Sequence, residues 1–296
     1  MSSFWSAWII VLTVISIAAL CWLLFSNRKT TYDNPEGKTG HVYDGIEEYD
    51  NPMPAWWIYL FVITIVFSIG YLIAYPGMGH FPGLLGWTQE GQWQREMDRA
   101  EQAYGPVFSK YAAMPVEEVI NDPAAMKMGQ RLFANNCAQC HGSDARGAFG
   151  FPNLTDNDWL YGGSPEQIKI SIVDGRQGAM PGWAQALGDD GVMQVAQHVL
   201  SLSGRDHDAA LAAEGAGKFQ MFCAACHGPK GTGNHLFGAP NLTDDTWLYS
   251  PAPSQIIAII RNGRQNRMPA HKDMLDSDKI HLLTAYVYQL SQPAAK

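Results

Sequence analysis

The chain carries one short cysteine motif twice, inside two stretches that repeat one another. CAQCHGSDARG runs from Cys137 to Gly147, and CAACHGPKGTG runs from Cys223 to Gly233. In both, a histidine directly follows the second cysteine of a Cys-x-x-Cys pair. Residues 126–203 and 214–291 form one unit written twice, because PNLTD, GRQ and a Met-Pro pair recur 88 residues apart. A period this long, present only twice, indicates tandem domains rather than a solenoid.

Each repeat is predicted to open and close with a helix. The opening helices contain Gly129 with Phe133, and Gly215 with Phe219. The closing helices have apolar residues at helical spacing, in the runs VMQVAQHVLSL and IHLLTAYVYQL. We expect the glycine of each opening helix to let the closing helix of its repeat approach closely. A unit of roughly 80 residues has a small core, so it needs a further stabilising element such as a bound cofactor or a cross-link.

The cysteine motif predicts that this stabilising element is haem. Both thiols of Cys-x-x-Cys-His can form thioethers with the vinyl groups of one haem, and the histidine is then held at the iron. Structural zinc and a dithiol redox site are the alternatives. Paired cysteines for zinc usually lie about 15 to 20 residues apart, and neither alternative explains the adjacent histidine. The sequence therefore predicts two covalent c-type haems, on Cys137 and Cys140 and on Cys223 and Cys226, with His141 and His227 as axial iron ligands.

A haem that only carries electrons needs a sixth iron ligand, and two methionines are the candidates. Met180 and Met268 stand in the repeated context Gly-Arg-Gln-x-x-Met-Pro. A thioether opposite histidine raises the haem potential, which suits a carrier that feeds a strong oxidant. Two histidines are rival ligands. We expect His198 to be a packing residue of a closing helix, and His271 to lie on the surface.

Two arginines also recur at equivalent positions of the repeats. Arg176 and Arg264 both precede the candidate methionine by four residues. A guanidinium fork is well shaped to pair with a haem propionate. The alternative is a solvated loop charge, which contributes little. Both arginines are therefore possible propionate contacts.

Two apolar runs near the N-terminus predict membrane helices. Phe4–Phe25 and Ala55–Tyr75 contain no charged residue or histidine, and each is long enough to cross a bilayer. A cleaved signal peptide is the alternative for the first run, but no basic residue precedes it. Arg28, Lys29 and Lys38 lie between the runs, so the positive-inside rule places this loop in the cytoplasm and the long C-terminal part outside the cytoplasm.

The predicted fold class is mainly α, with two N-terminal transmembrane helices followed by the two tandem repeats. Each repeat resembles a class I cytochrome c domain in its Gly and Phe on the first helix, its Cys-x-x-Cys-His motif and its distal Met-Pro. No basic patch indicates a nucleic-acid partner. The predicted layout is a first transmembrane helix at 1–30, a cytoplasmic loop at 31–54, a second transmembrane helix at 55–76, a linker at 77–125, cytochrome c domain 1 at 126–204 and cytochrome c domain 2 at 205–296.

Three further segments carry a family resemblance: YPGMGHFPGLLGW (Tyr75–Trp87), DARGAFGFPNL (Asp144–Leu154) and DWLYGG (Asp158–Gly163). With the haem motifs, they make the chain resemble the dihaem subunit, CcoP or FixP, of cbb3-type cytochrome c oxidases. The resemblance implies a non-catalytic electron-entry subunit. It implies that electrons come from a donor cytochrome c and pass through two haems to the monohaem subunit, while a separate catalytic subunit reduces oxygen and pumps protons. Many relatives have one membrane helix, so the first span is a departure.

Two other functions remain open at this point. A free-standing, membrane-anchored dihaem cytochrome would have the same chemistry without the oxidase complex. A dihaem peroxidase would need one haem with an open or displaceable sixth position. A methionine at the same place in both repeats argues against the peroxidase.

Overall fold

A computed structural model of the 296-residue chain describes residues 2–28 and 37–292. The chain divides into two compact units, residues 1–103 and residues 104–296. Lys29 and residues 31–36 of the predicted cytoplasmic loop lie outside the described residues.

The first unit contains the two apolar helices, α1 (Ser3–Ser26) and α2 (Ala55–Ala74). Both are long and apolar enough to cross a membrane, and almost none of their residues is buried within the protein. A core helix of a soluble protein would bury its apolar side chains, so these helices are suited to lipid. Between them lies an antiparallel hairpin of β1 (Lys38–Tyr43) and β2 (Ile46–Tyr49). The prediction of two apolar spans is confirmed.

Helix α1 packs against the segment that follows α2. The backbone N–H of His80 donates to Oγ of Ser6 at 3.0 Å, and Ser6 is buried. Gly79 has a positive φ of 59°, and a Cβ there would overlap the Ser6 backbone. The N-terminal span therefore has a defined docking point within its own unit.

The second unit is built from helices and two short strands. Helix α3 (Gln89–Ala112) begins in the first unit and lies within the predicted linker at 77–125. The first repeat contributes α4 (Val116–Val119), α5 (Pro123–Asn136), α6 (Ala138–His141), α7 (Pro165–Asp174), β3 (Arg176–Met180) and α8 (Ala184–Leu202). The second contributes α9 (Ala209–Phe222), α10 (Ala224–His227), α11 (Pro253–Asn262), β4 (Arg264–Met268) and α12 (Ser277–Leu290). The predicted mainly helical class is confirmed.

The closing helices are exchanged between the repeats. Helix α8 packs on α9 and α11 of the second repeat, and α12 packs on α5 and α7 of the first. One apolar core joins Val195 of α8 to Phe219 of α9. The other joins Leu283 of α12 to Phe133 of α5. The expectation that each closing helix packs on the opening helix of its own repeat is therefore wrong.

The glycines of the opening helices do permit a close approach, but to the helix of the other repeat. A Cβ on Gly129 would lie 2.6 Å from Cβ of Tyr286, which belongs to α12. A Cβ on Gly215 would overlap the backbone carbonyl of Gln194, which belongs to α8. His198 lies on the same helix, and its ring stands 5.2 Å from the Phe219 ring. The prediction that His198 is a packing residue is confirmed.

A short connection explains the exchange. Helix α8 ends at Leu202 and α9 begins at Ala209, so only six residues join them. Helices with short connections usually become antiparallel neighbours. Helix α8 therefore pairs with α9, and α12 occupies the equivalent place on α5.

The two short strands form one antiparallel ribbon. In its register, Arg176 lies opposite Met268, and Met180 lies opposite Arg264. Gly175 and Gly263, with φ of 71° and 74°, precede the strands, and a Cβ on either would overlap the backbone that follows the facing methionine. Glycine meets both demands, since it accepts positive φ and close backbone contact. The ribbon thus holds the two candidate methionine segments side by side.

Candidate haem sites

Each Cys-x-x-Cys-His motif forms one helical turn directly after an opening helix. The backbone N–H groups of Cys140 and His141 both donate to the carbonyl of Cys137, at 3.1 and 3.0 Å. Gly142, with φ of 79°, ends the turn. The second motif repeats this geometry, with matching bonds to the carbonyl of Cys223. The turn therefore places both thiols and the imidazole of a motif beside one another.

The cysteines of both motifs form no disulfide within the part of the chain that the structure describes. Cys140 and Cys226 are exposed, whereas Cys223 is buried and Cys137 is half-buried. Among the residues that the structure describes, no group of three or more His, Cys, Asp or Glu side chains converges as a metal site would require. Within the described residues, the two thiol pairs therefore do not converge on one four-cysteine site.

The two motif histidines are buried and fixed in orientation. Nδ1 of His141 donates to the carbonyl of Pro152 at 3.1 Å, and Nδ1 of His227 donates to the carbonyl of Pro240 at 3.2 Å. A carbonyl can only accept, so Nδ1 carries the proton and Nε2 is left free to bind a metal. Burial lowers the pKa of both imidazoles, although the carbonyl contacts oppose this. Both rings are therefore held in the neutral form that an iron ligand requires.

A single large cavity connects the candidate residues of both repeats. Its volume is about 1400 Å³, above the roughly 300–1,000 Å³ of an ordinary small-molecule pocket. The residues predicted as cofactor and iron ligands all line it, and so do both arginines: Cys137, Cys140, His141, Arg176, Met180, Cys223, Cys226, His227, Arg264 and Met268. The cavity has room for more than one bound group.

The structure assigns the two methionines to opposite cores. Met268 packs against the core that contains Phe133 and borders Cys137. Met180 packs against the core that contains Phe219 and Cys223. Along the sequence, each repeat contains one motif histidine followed by one candidate methionine. The fold instead places each methionine in the core of the other repeat's cysteine motif.

The two repeated arginines differ in their surroundings. Nε of Arg176 donates to Oγ of Ser171 at 2.9 Å, and its guanidinium lies 4.6 Å from the centre of the Tyr161 ring. Arg264 stacks on Tyr249 at 5.0 Å and is exposed. In the second repeat an isoleucine takes the place of Ser171. Arg176 is therefore held in place, whereas Arg264 is closer to a solvated charge.

Two residues that line the cavity each carry a buried nitrogen to which the described residues offer no hydrogen-bond partner. These nitrogens are Nε1 of Trp247 and Nδ1 of His271. A buried polar group without a hydrogen bond costs about 1–3 kcal/mol. An indole N–H can only donate, so the cavity calls for a ligand with acceptor groups. Haem carries propionates, and with the thiols, imidazoles and thioethers the residues present fit this group.

The prediction that His271 lies on the surface is wrong. Only 7% of the residue is exposed. Its backbone N–H donates to the carbonyl of Ile172 at 3.0 Å, and that of Trp183 donates to Ile260 at 2.9 Å. These bonds are equivalent in the two repeats. The donors Trp183 and His271 lie 88 residues apart, and so do the acceptors Ile172 and Ile260. The alignment of His271 with an aromatic residue was the signal that it is buried.

The fold and the site define a class of protein: a c-type cytochrome with two cytochrome c domains and two candidate membrane helices. Two family descriptions match the sequence. The N-terminal domain of cytochrome oxidase-cbb3, FixP, matches residues 36–82. Cytochrome c oxidase, cbb3-type, subunit III matches twice, over residues 124–199 and 210–287. The chain belongs to the CcoP/FixP family of cbb3-type cytochrome c oxidase subunits.

Similar proteins agree over nearly the full length. A cbb3-type cytochrome c oxidase subunit CcoP of Rubrivivax gelatinosus is 47% identical over 295 residues, covering 98% of this chain and 96% of its own. CcoP of Cereibacter sphaeroides is 40% identical, covering 85% and 93%. FixP of Azorhizobium caulinodans is 38% identical, covering 85% and 92%. The chain is thus a subunit of the oxidase complex, whose other subunits are its partners, and its two cytochrome c domains imply c-type haem.

Proposed function

We propose that this chain is the electron-entry subunit of its oxidase. It takes electrons from a donor cytochrome c and passes them through two covalent haems to the monohaem subunit, from which they reach the oxygen-reducing, proton-pumping subunit. The chain itself carries no catalytic residue. The observation that carries the proposal is the convergence of two cysteine motifs, two neutral histidines and two methionines on one cavity.

The proposed iron ligands are crossed between the repeats. His141 and Met268 would hold the iron of the haem on Cys137 and Cys140, and His227 and Met180 would hold the iron of the haem on Cys223 and Cys226. The exchange of α8 and α12 supports this pairing, since each methionine packs against the core of the other repeat's motif. The cytochrome c domains at 126–204 and 205–296 are accordingly continuous in sequence, but each core contains the closing helix of the other domain.

A c-type haem with histidine and methionine ligands supplies one-electron transfer at a raised potential. The residues of this chain orient the group and limit what it does. The Pro152 and Pro240 carbonyls fix the two imidazoles, and the methionines close the sixth position. An iron whose sixth position is occupied favours the role of an electron carrier over that of a peroxidase, which needs an open or displaceable position. Arg176, held by Ser171, offers a fixed cation for a propionate, and Arg264 offers a more exposed one.

The haem domains are proposed to face the periplasm, with lipid around α1 and α2. The support is the set of basic residues in the loop between the spans, which the positive-inside rule places in the cytoplasm. Two spans return the chain to the side on which it began. The C-terminal cytochrome domains then lie outside the inner membrane.

The crossed ligation can be tested in a protein with a single haem. In a full-length chain with Cys137→Ala and Cys140→Ala, only the haem on Cys223 and Cys226 is left. We expect Met180→His to abolish the far-red methionine–iron band and to lower the potential of this haem, because a second imidazole replaces the thioether. Met268→His in the same background should change neither.

The reciprocal background retains the other haem and serves as the matched control. With Cys223→Ala and Cys226→Ala, the effects of the two methionine changes should be reversed. If the methionine of the same repeat carries the band in both backgrounds, the crossed assignment is wrong. Should a background fail to assemble, the axial methionine methyl signals in the NMR spectrum of each dihaem methionine variant give the same answer.

The oxidase role is tested by solubilising membranes in mild detergent. The chain should co-migrate with oxygen-reducing activity. Migration of the dihaem chain apart from that activity would favour the free-standing membrane-anchored cytochrome.

A further inference from the structure

The two haem sites differ at the position three residues after the methionine. The first repeat has Trp183 there and the second has His271. Their backbone N–H groups make equivalent bonds to α11 and α7, so they occupy corresponding places. The Trp183 ring packs on Phe222, with centroids 5.5 Å apart. An apolar contact in one site is thus replaced by an imidazole in the other.

The imidazole of His271 lies in the site that contains His141 and Met268. It lines the cavity together with both of them. The backbone carbonyl of His271 accepts bonds from Met274 and Leu275, at 3.0 and 2.9 Å, which fixes the main chain. Ring nitrogen Nδ1 is buried, and the described residues offer it no hydrogen-bond partner. Leaving it unpaired would cost about 1–3 kcal/mol, so the site is built for a partner from outside the chain.

We propose that Nδ1 of His271 donates a hydrogen bond to a propionate of the haem on Cys137 and Cys140, and that this bond raises the potential of that haem. The inference rests on the proposed function, which places a haem there. The propionates are the carboxylate acceptors on the haem edge, and a bond to a carboxylate is stronger than one between neutral groups. His271 is then a positioning residue for the haem, distinct from the iron ligands.

The sign of the effect separates this role from simple packing. A propionate carboxylate stabilises oxidised iron, and a donated hydrogen bond disperses its charge. Removing the donor therefore favours the oxidised haem and lowers its potential. If His271 only filled space, an apolar replacement would make the surroundings of the haem less polar. Less polar surroundings disfavour the extra positive charge of oxidised iron and therefore raise the potential of the haem.

The test uses the full-length chain purified in detergent, with both haems confirmed by pyridine haemochrome. Redox titrations compare His271→Phe, His271→Asn and the matched control Trp183→Phe. Cys223→Ala with Cys226→Ala then identifies the haem on Cys137 and Cys140. We expect His271→Phe to reduce the equilibrium constant for reduction of this haem by roughly threefold to tenfold, a tenfold change being 59 mV. His271→Asn keeps a donor and should stay within about twofold, as should Trp183→Phe.

A second readout reports the hydrogen bond itself. The propionate-bending band in the resonance Raman spectrum should shift in His271→Phe and keep its position in His271→Asn. If His271→Phe does not assemble, the same band in the unaltered protein should shift when water is exchanged for D₂O.

An unchanged or raised potential in His271→Phe, or a propionate band insensitive to both changes, would overturn the proposal. Complete loss of the far-red methionine–iron band in the dihaem protein with Met180→His would overturn it as well, because Met268 would then not bind the iron of the haem on Cys137 and Cys140 and His271 would be the ligand in its place. Absence of haem from Cys137 and Cys140 would instead refute the proposed function.

Discussion

Replacement of Gly215 by alanine tests whether the closing helices are exchanged. A Cβ at this position would lie 2.5 Å from the backbone carbonyl carbon of Gln194 and 3.1 Å from Cβ of His198. Both residues belong to α8, the closing helix of the first repeat. A backbone carbonyl cannot rotate away as a long side chain can, so α8 has to shift. Overpacking of this kind usually costs about 1–3 kcal/mol.

Gly217→Ala is the matched control, because this glycine lies on the same helix and a Cβ added there would have nothing within 4 Å. Replacing glycine with alanine inside a helix stabilises it by about 1 kcal/mol. This gain is common to both variants and cancels in their comparison. The difference between them, about 1–3 kcal/mol, therefore reports the contact with α8. In a unit of this size it corresponds to roughly 2–12 °C in Tm.

The assay is thermal unfolding of the detergent-purified holoprotein, followed by far-ultraviolet circular dichroism. Gly217→Ala should have a higher Tm than the unaltered protein, and Gly215→Ala should have a Tm below that of Gly217→Ala by the stated margin. The far-red band should weaken in Gly215→Ala if Met180 follows the displaced helix. Equal stability of the two alanine variants would refute the close approach of α8 to α9.

Two further changes probe the other core. Phe133→Ala removes a side chain that is 1% exposed and lies 5.5 Å from the Tyr286 ring of the other repeat. We expect the free energy of unfolding, measured by urea titration, to fall by about 3–5 kcal/mol. Phe133→Leu is the milder control. Asp122 caps α5, and its pKa is lowered by the hydrogen bond from the Ala124 N–H and then by the Tyr111 hydroxyl. Its contribution to stability is therefore fully present above its ordinary pKa of 3.8 and is lost as the pH falls through the lowered value. Asp122→Asn should flatten the pH dependence of Tm below about pH 4; an unchanged slope would contradict this role.

The elements of the fold could be predicted from the sequence, but not the partners of the closing helices. Helical periodicity located α5, α8, α9 and α12. The two repeats present nearly the same apolar positions to their cores, as Phe133 and Phe219 show, so the pattern cannot say which closing helix fills which core. The information lies in the connection: six residues after Leu202 are enough for an antiparallel neighbour and favour pairing with α9.

The residues that line the cavity could be named from the sequence one by one, whereas the core against which each methionine packs could not. The two thiols and the adjacent histidine of a motif could be assigned to one site from the sequence, because all three lie on one helical turn. The methionine comes from a strand whose position depends on the β3–β4 ribbon, a contact between distant parts of the chain. His271 was misjudged because a polar residue after Met-Pro reads as a surface loop. The alignment of His271 with Trp183 pointed to burial, and the fold adds the bond from the His271 backbone N–H to Ile172 on α7.

The exchange has a consequence for electron transfer between the proposed haems. Two domains joined only by a six-residue connection would move relative to one another, as domains with small polar interfaces do. Here each core is completed by a helix from the other repeat, and the methionine strands are hydrogen-bonded along their length. The distance between the two sites is therefore set by packed cores rather than by a linker. Because the rate of electron transfer falls steeply with distance, an exchanged pair of cytochrome domains gives the two haems a fixed spacing that tandem independent domains would lack.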